Sequence, residues 1–262
     1  MRNVKLTISY DGTNYCGWQK QKGEFRGVKK GTIQGTIEET LRKLLQEEIK
    51  LIGSGRTDSG VHAFGQIANF KTKSNLSSKE MGRGLNALLP QDIRIKMVIT
   101  VPERFNSRYD VLSKTYHYVI SQQNSPFLHN YSYFCPCKLE LSAMRKASKF
   151  LIGKHNFSSF QAAGSKIKNS VRSVKKLSIN PPSSILPRMG GGSMWGCKLI
   201  RIKIQASGFL YKMVRNIVGT LLEVGKGKIA SQDVKKILDK KDRKFAGPTA
   251  PAKGLYLKKV RY

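Results

Sequence analysis

The sequence predicts an α+β fold with two similar α/β halves, each built on a mainly antiparallel sheet. Two observations carry this prediction. Segments that alternate apolar and polar residues, typical of half-buried strands, are interleaved with segments whose apolar residues recur at helical spacing. The order of strands and helices is also similar in residues 1–107 and residues 108–262, which we predict to be the two domains. We expect their sheets to join edge to edge into one extended sheet, with a cleft between the halves.

The first half begins with an alternating strand over residues 3–10. Thr32 can then cap a helix whose apolar residues recur every three or four positions. Two further strands, over residues 49–53 and 63–70, flank a glycine-rich turn.

The rest of the first half is a helix followed by a strand. Ser77 and Glu80 have the spacing of a capping box, which predicts that a helix begins here, and Pro90 ends it. Residues 92–101 alternate again and predict a strand.

The second half repeats this order. Residues 113–120 alternate, which places Tyr116 and Tyr118 on one face of a strand. Ser207 is expected to cap a helix that runs to Val224. The other expected elements are a helix over residues 142–151 and strands over residues 171–180, 196–205 and 255–260.

The chain is strongly basic. It has 48 Lys and Arg against 16 Asp and Glu, a formal net charge of +32. Residues 108–262 carry 30 of the basic side chains and 6 of the acidic ones. Such an excess of basic residues favours an anionic partner, either nucleic acid or an anionic membrane surface. A lysine-rich proteome would also raise the excess of basic residues.

Several classes of protein are disfavoured. No run of about 18 apolar residues predicts a transmembrane helix, and the N-terminus lacks the apolar core of a signal peptide. Cys135 and Cys137 are separated by one residue, which is too few for a zinc knuckle, and Cys16 and Cys197 lie far away. We therefore expect a cytoplasmic protein with reduced thiols and no metal.

The turn over residues 53–63, with the sequence GSGRTDSGVHA, contains the first candidate for catalysis, Asp58. Its glycines allow close approaches that other residues would block. A carboxylate in a cation-rich chain suits a nucleophile or base that acts on a polyanion, and the neighbouring Arg56 would favour its ionised form. On spacing alone, an Asx-turn in which Asp58 only binds its own backbone is an equally good interpretation.

Two other residues stand out. Arg215 lies in the apolar segment over residues 209–222, where a buried arginine needs an anionic partner such as Asp58 or else reaches the solvent at the helix edge. Tyr116 lies on a strand where an aromatic ring could stack a base, although such tyrosines are more often part of the core.

The segment GRTDSGVHA over residues 55–63 resembles the signature of the tRNA pseudouridine synthase A family. The resemblance covers nearly the whole chain, because further matches follow in the family's order. They lie at residues 10–19, 32–35, 104–109, 114–118, 157–160, 213–219 and 249–255.

This resemblance implies an enzyme that converts uridine to pseudouridine at positions 38, 39 and 40 of the tRNA anticodon stem-loop, as a homodimer and without metal or cofactor. It implies that Asp58, in a catalytic cleft, is the nucleophile or base, that Arg215 pairs with it, that Tyr116 contacts the target base and that Arg56 helps hold the flipped nucleotide. The other expected contacts to RNA are Thr57, His62, Gln66, Lys114, Arg172 and Leu255.

The sequence departs from the family pattern at a few points. Ser59 replaces a usual alanine, Lys114 and Thr115 replace an arginine-rich pair, and the segments over residues 23–30 and 181–193 are longer. Two other functions agree less well with the sequence. A non-catalytic RNA-binding protein would not need Asp58, and a metal-dependent nuclease needs a carboxylate cluster that the sequence around Asp58 does not supply.

Overall fold

The structure is a computed structural model that describes residues 1–19, 31–162, 169–180 and 199–262. The segments over residues 23–30 and 181–193, noted above for their length, lie outside these ranges. The chain forms two compact units, Met1–Lys114 with Tyr256–Tyr262 and Thr115–Leu255. The boundary at 107/108 remains a prediction from the sequence.

In its described residues, the first unit is a sheet with two helices. Its elements are β1 (Arg2–Tyr10), α1 (Ile33–Leu45), β2 (Ile52–Gly53), β3 (His62–Thr72), α2 (Ser78–Leu88) and β4 (Ile93–Val101), together with β10 (Leu255–Arg261), whose first residue is assigned to the second unit. The strand order is β4-β1-β3-β10, and β2 also pairs with β3. Among the described strands of this unit, all pairings are antiparallel except that of β10 with β3.

The central strand β1 shows why the alternating pattern predicts a strand. Val4, Leu6, Ile8 and Tyr10 are all buried. Leu6 lies opposite Ala68 of β3 and Val98 of β4, so the apolar face of β1 continues across its neighbours. Burial of these side chains, each contributing about 1.5–3 kcal/mol, stabilises the unit.

Both predicted helix caps of the first unit are confirmed. The hydroxyl of Thr32 accepts a hydrogen bond from the Gly35 amide at 3.2 Å, and Ile33, Ile37 and Leu41 of α1 are fully buried. At the start of α2, Ser77 and Glu80 form the reciprocal bonds of a capping box. Such caps stabilise a helix by about 0.5–2 kcal/mol each.

The second unit has the same kind of architecture. Its elements are β5 (Ser113–Ser121, which begins in the first unit), β6 (Tyr133–Phe134), α3 (Leu141–Lys149), β7 (Gly153–Asn156), β8 (Val171–Asn180), β9 (Leu199–Ala206), α4 (Met213–Gly225) and α5 (Asp233–Lys240). The strand order is β5-β9-β8-β7, with β6 beside β5. The α+β class with mainly antiparallel pairing in two similar halves is therefore confirmed.

The predicted start of the long apolar helix is wrong. Ser207 does not cap it, and α4 begins at Met213 because Lys212 adopts a left-handed conformation with φ of 57°. A residue in this region interrupts the regular helix, so residues 208–212 precede the helix, and residues 211 and 212 form a turn. The sequence also missed β6, β7 and α5.

Candidate active site

Asp58 lies in the loop that joins β2 to β3. The two strands are antiparallel, with Gly53 opposite Ala68, and the loop runs from Gly53 to the start of β3 at His62. Asp58 is half-buried, and its carbonyl oxygen accepts a hydrogen bond from the Val61 amide at 3.1 Å. Gly60 has a φ of +78°, a conformation that favours glycine. The main chain itself thus closes the turn after Asp58.

Gln66 of β3 fixes the start of this loop. It is fully buried, and its Nε2 donates to the Gly55 carbonyl at 2.9 Å. Its Oε1 accepts from the Ser54 hydroxyl at 2.6 Å and from the Ile67 amide at 3.1 Å. Because a buried amide without partners would be costly, these bonds hold the side chain and the loop in one arrangement.

Thr57, the residue before Asp58, is held by the N-terminal segment. Its hydroxyl lies 2.8 Å from the hydroxyl of Tyr10, and its carbonyl accepts from the Trp18 amide at 3.1 Å. Burial raises the pKa of Tyr10, so the phenol stays protonated and remains able to donate. The backbone on the N-terminal side of Asp58 is therefore fixed to β1 and to the segment that follows it.

Lys114 contributes a third support to the loop. Its Nζ donates to the Ser54 carbonyl at 2.5 Å. A Cβ atom added to Gly55 would lie 2.5 Å from the same nitrogen, so the ammonium rests directly on the loop backbone. Burial, with a smaller effect of Arg108, lowers the pKa of Lys114 to about 8.

Arg56 differs from these residues because its side chain is exposed. Its Nε donates to Oε1 of Gln19 at 3.1 Å. The guanidinium is thus available at the surface two residues before the half-buried Asp58.

His62, the first residue of β3, packs within the unit. It is 2% exposed, and its ring is stacked on that of Tyr256 with 4.7 Å between centroids. Its Nδ1 lies 3.1 Å from Oδ1 of Asp11 and 3.2 Å from the amide of Gly12. His62 therefore connects the end of the Asp58 loop to β10 and to the segment after β1.

Tyr116 lies on β5 in the second unit. It is 8% exposed, and its ring meets that of Phe209 edge-on with 5.1 Å between centroids. Edge-to-face pairs of this kind contribute about 0.5–1.5 kcal/mol beyond burial and fix the ring orientation. The ring is thus held in place by packing.

Arg215 is the third residue of α4 and is half-buried. Its Nε donates to the Ala250 carbonyl at 2.7 Å, and the Ala250 amide donates to the Arg215 carbonyl at 3.1 Å. The segment over residues 247–251 lies directly on the helix, because a Cβ on Gly219 would be 1.6 Å from the Pro248 oxygen. Helix and segment together set the direction of the guanidinium.

The two remaining predicted residues of the second unit differ in exposure. Arg172, on β8, is half-buried, and its Nη1 donates to the carbonyls of Asn169 at 2.9 Å and Val171 at 2.7 Å. Burial lowers its pKa. Leu255, the first residue of β10, is 5% exposed.

Sequence reasoning missed a polar cluster beside Arg215. Asn216 is fully buried, and its Oδ1 accepts from the Thr249 hydroxyl at 2.7 Å and from Nη2 of Arg243 at 3.3 Å. Its Nδ2 donates to the Phe160 carbonyl at 2.9 Å. The signal was a lone asparagine in an apolar helix, because a buried amide needs such partners.

The described residues also bear on metals, thiols and membranes. In these ranges no group of three His, Cys, Asp or Glu side chains could hold a metal ion. Cys16, Cys135 and Cys137, the cysteines in the described part of the chain, are free thiols. None of the helices described above has the length and apolarity needed to cross a membrane.

Comparison with known proteins confirms the resemblance. A family model described as tRNA pseudouridine synthase matches residues 6–110 and 147–262. The tRNA pseudouridine synthase A of Acetivibrio thermocellus is 44% identical and that of Caldicellulosiruptor bescii 45% identical, each over 100% of both chains. The tRNA pseudouridine synthase A 2 of Clostridium perfringens is 43% identical with the same coverage.

These matches define the class of protein as the pseudouridine synthases, isomerases that act on RNA. Within that class, the chain belongs to the tRNA pseudouridine synthase family.

Proposed function

We propose that this protein converts uridine to pseudouridine in the tRNA anticodon stem-loop, at positions 38, 39 and 40, and that Asp58 is its nucleophile or base. Family membership supports the reaction and the tRNA substrate. The observation that carries the role of Asp58 is the scaffold around it. Gln66, Thr57 and Lys114 all hold the backbone of the loop that presents this half-buried carboxylate.

The chemistry needs only one carboxylate. The C1′–N1 bond of uridine breaks, the base turns, and a bond forms between C5 and C1′, while the C5 proton is lost and N1 gains one. Asp58 starts this sequence either by attacking C1′ or by removing the C2′ proton. No atom is added overall, so the reaction is an isomerisation that consumes no second substrate.

The target base has to leave its stack before Asp58 can reach the sugar, which costs a few kcal/mol. We assign to the exposed Arg56 a contact that holds the flipped nucleotide, and to Tyr116 a contact with the base. We assign to Arg215 a pairing with Asp58. The support for these roles is the family resemblance, together with the fixed orientations of Tyr116 and Arg215 described above.

Positive charge supports the binding of a polyanion. The second unit, Thr115–Leu255, contains 25 Lys and Arg against 5 Asp and Glu. Contacts of these cations with phosphates would release counterions, so affinity for tRNA should fall steeply with salt. We include Arg172 among the residues that contact RNA directly. The buried side chains instead support the RNA-binding surface from beneath, and they are Thr57, His62, Gln66 and Leu255.

We further propose that the protein acts as a homodimer in the cytoplasm, as the family resemblance implies. Light scattering coupled to size-exclusion chromatography measures the mass directly. A mass of twice 29.4 kDa supports the dimer, and a mass equal to one chain contradicts it.

The decisive experiment uses tRNA transcripts labelled with tritium at C5 of uridine. The wild type should release tritium, and Asp58→Asn should release none while its Kd for tRNA stays within about twofold, because the substitution keeps the size of the side chain. Asp239→Asn, an exposed residue of α5, is the matched control and should behave as the wild type. Unchanged release by Asp58→Asn would refute the role of Asp58. Transcripts with a single labelled uridine at 38, 39 or 40 test the positions.

A further inference from the structure

Lys114 points into the protein and contacts the Asp58 loop. We propose that Lys114 is a positioning residue whose ammonium group fixes the backbone of this loop for the isomerisation. This inference rests on the proposed function, since it concerns the geometry of Asp58. It differs from the sequence-based expectation, in which Lys114 binds RNA.

The contact acts at the point where the loop begins. Ser54 and Gly55 present consecutive carbonyl groups, of which the first accepts from Lys114 Nζ and the second from Gln66 Nε2. The Ser54 hydroxyl donates to the same Gln66 side chain. Because both carbonyls are held, the backbone conformation at the start of the loop is restricted. This restriction limits the directions in which Asp58, four residues after Ser54, can point.

Gly55 is the second observation that supports this role. Its Cβ, if present, would lie 2.5 Å from Lys114 Nζ and 3.5 Å from Cε. Contacts below 3.0 Å do not occur for real Cβ atoms, so a side chain at this position would displace the ammonium. Gly55 does not have a positive φ, so glycine is needed here for the approach of Lys114 and not for an unusual backbone conformation.

The setting of Lys114 is unfavourable for a cation. Its pKa is lowered by burial, and the nearby charge that acts on it, Arg108, is of the same sign. A lysine retained under these conditions contributes something that a neutral residue does not, namely a charge-assisted bond to the Ser54 carbonyl. Lys114 is also two residues before Tyr116 on β5, so both side chains project from one face of that strand.

The test compares Lys114→Ala, Gly55→Ala and the double variant. Each single variant breaks the same contact from a different side, so each should lower the single-turnover rate by about tenfold, the scale expected for a small misplacement of catalytic groups. Lys114→Ala leaves room for the new methyl group, so the double variant should be no slower than either single one. Lys114→Arg should recover part of the rate. Lys96→Ala, an exposed lysine of β4, is the control for lost charge.

Binding distinguishes positioning from direct contact with RNA. A positioning residue leaves the Kd for tRNA and its dependence on salt unchanged. A phosphate contact would weaken binding and reduce the slope of log K against log[salt] by about 0.9. Weaker binding with a reduced salt slope, together with a normal single-turnover rate, would overturn the proposal. Losses of single-turnover rate that add in the double variant would also overturn it.

Failure of this inference and failure of the proposed function give different results. If the wild type releases no tritium from labelled tRNA, both fall. If the wild type is active and both single variants match it, only the role of Lys114 falls. Thermal unfolding of each variant checks the fold, and Gly55→Ala keeps the test decisive if Lys114→Ala does not fold.

Discussion

Arg215 and Ala250 are joined twice: the Arg215 guanidinium binds the Ala250 carbonyl at 2.7 Å, and the Ala250 amide binds the Arg215 carbonyl at 3.1 Å. Side chain and main chain of one residue are thus held by the main chain of another, 35 positions away. A guanidinium fixed in this manner loses little freedom when it acts on a partner.

We predict that Arg215→Ala lowers kcat about 100-fold, the loss typical of a removed electrostatic contact in an active site. The Kd for tRNA should change by less than threefold, because the residue is half-buried. Steady-state kinetics and filter binding measure the two quantities. Lys235→Ala, exposed on α5, is the control, and a normal kcat of Arg215→Ala at saturating tRNA would contradict the assignment.

Gly219→Ala should destabilise the second unit by about 2–3 kcal/mol, because the methyl group overlaps the Pro248 carbonyl. Urea unfolding gives the free energy of unfolding. Gly82→Ala in α2 is the matched helical substitution, and its Cβ would lie 3.4 Å from Val98 Cγ2. It should change stability by at most about 1 kcal/mol. Equal effects of the two substitutions would show that Pro248 does not press on α4.

Tyr116→Phe should keep the edge-on contact with Phe209 and therefore stay folded. If the hydroxyl binds the target base, the single-turnover rate should fall about tenfold, the value of one hydrogen bond. Tyr116→Ala should also lower the melting temperature. If Tyr116→Phe reacts at the wild-type rate, the functional group is the aromatic ring and not the hydroxyl.

The lowered pKa of Lys114 predicts a dependence of stability on pH. In the folded chain it is about 8, against an ordinary value of 10.5, so between these values the unfolded chain binds more protons. The contribution of Lys114 to stability therefore rises with pH across this window, by about 1–2 kcal/mol after screening is allowed for.

Urea unfolding of the wild type and Lys114→Met at pH 7.5 and pH 10 measures this effect. The difference between the two proteins should shift in favour of the wild type at the higher pH. A difference that does not change with pH would show that Lys114 keeps its ordinary pKa in the folded chain.

Features that depend on neighbours in sequence were predictable. Thr32 and Ser77 cap their helices because a cap needs only the following turn, and β1 follows its alternating pattern. The prediction that Ser207 caps the long apolar helix was wrong because Lys212 adopts a left-handed conformation, which no local sequence pattern indicates.

The candidate site was predictable to the same limited degree. The sequence identified Asp58 and the glycines around it, but it explained Gly55 only as a residue that allows close approaches. The structure places Lys114 against that glycine, 59 positions later in the chain. Gln66 was expected to bind RNA, and its bonds to the loop could not be read from spacing. Contacts of this kind depend on which strands become neighbours.

The parallel pairing of β10 with β3 has a consequence for biosynthesis. Tyr256 lies opposite His62 and stacks on it, beside the end of the Asp58 loop. Because the second unit lies between β3 and β10 in the chain, the His62 end of β3 gains this partner strand only after that unit has been synthesised. A chain truncated before Leu255 would lack both the strand that pairs with His62 and the ring that stacks on it, so the end of the Asp58 loop would lose one of its supports.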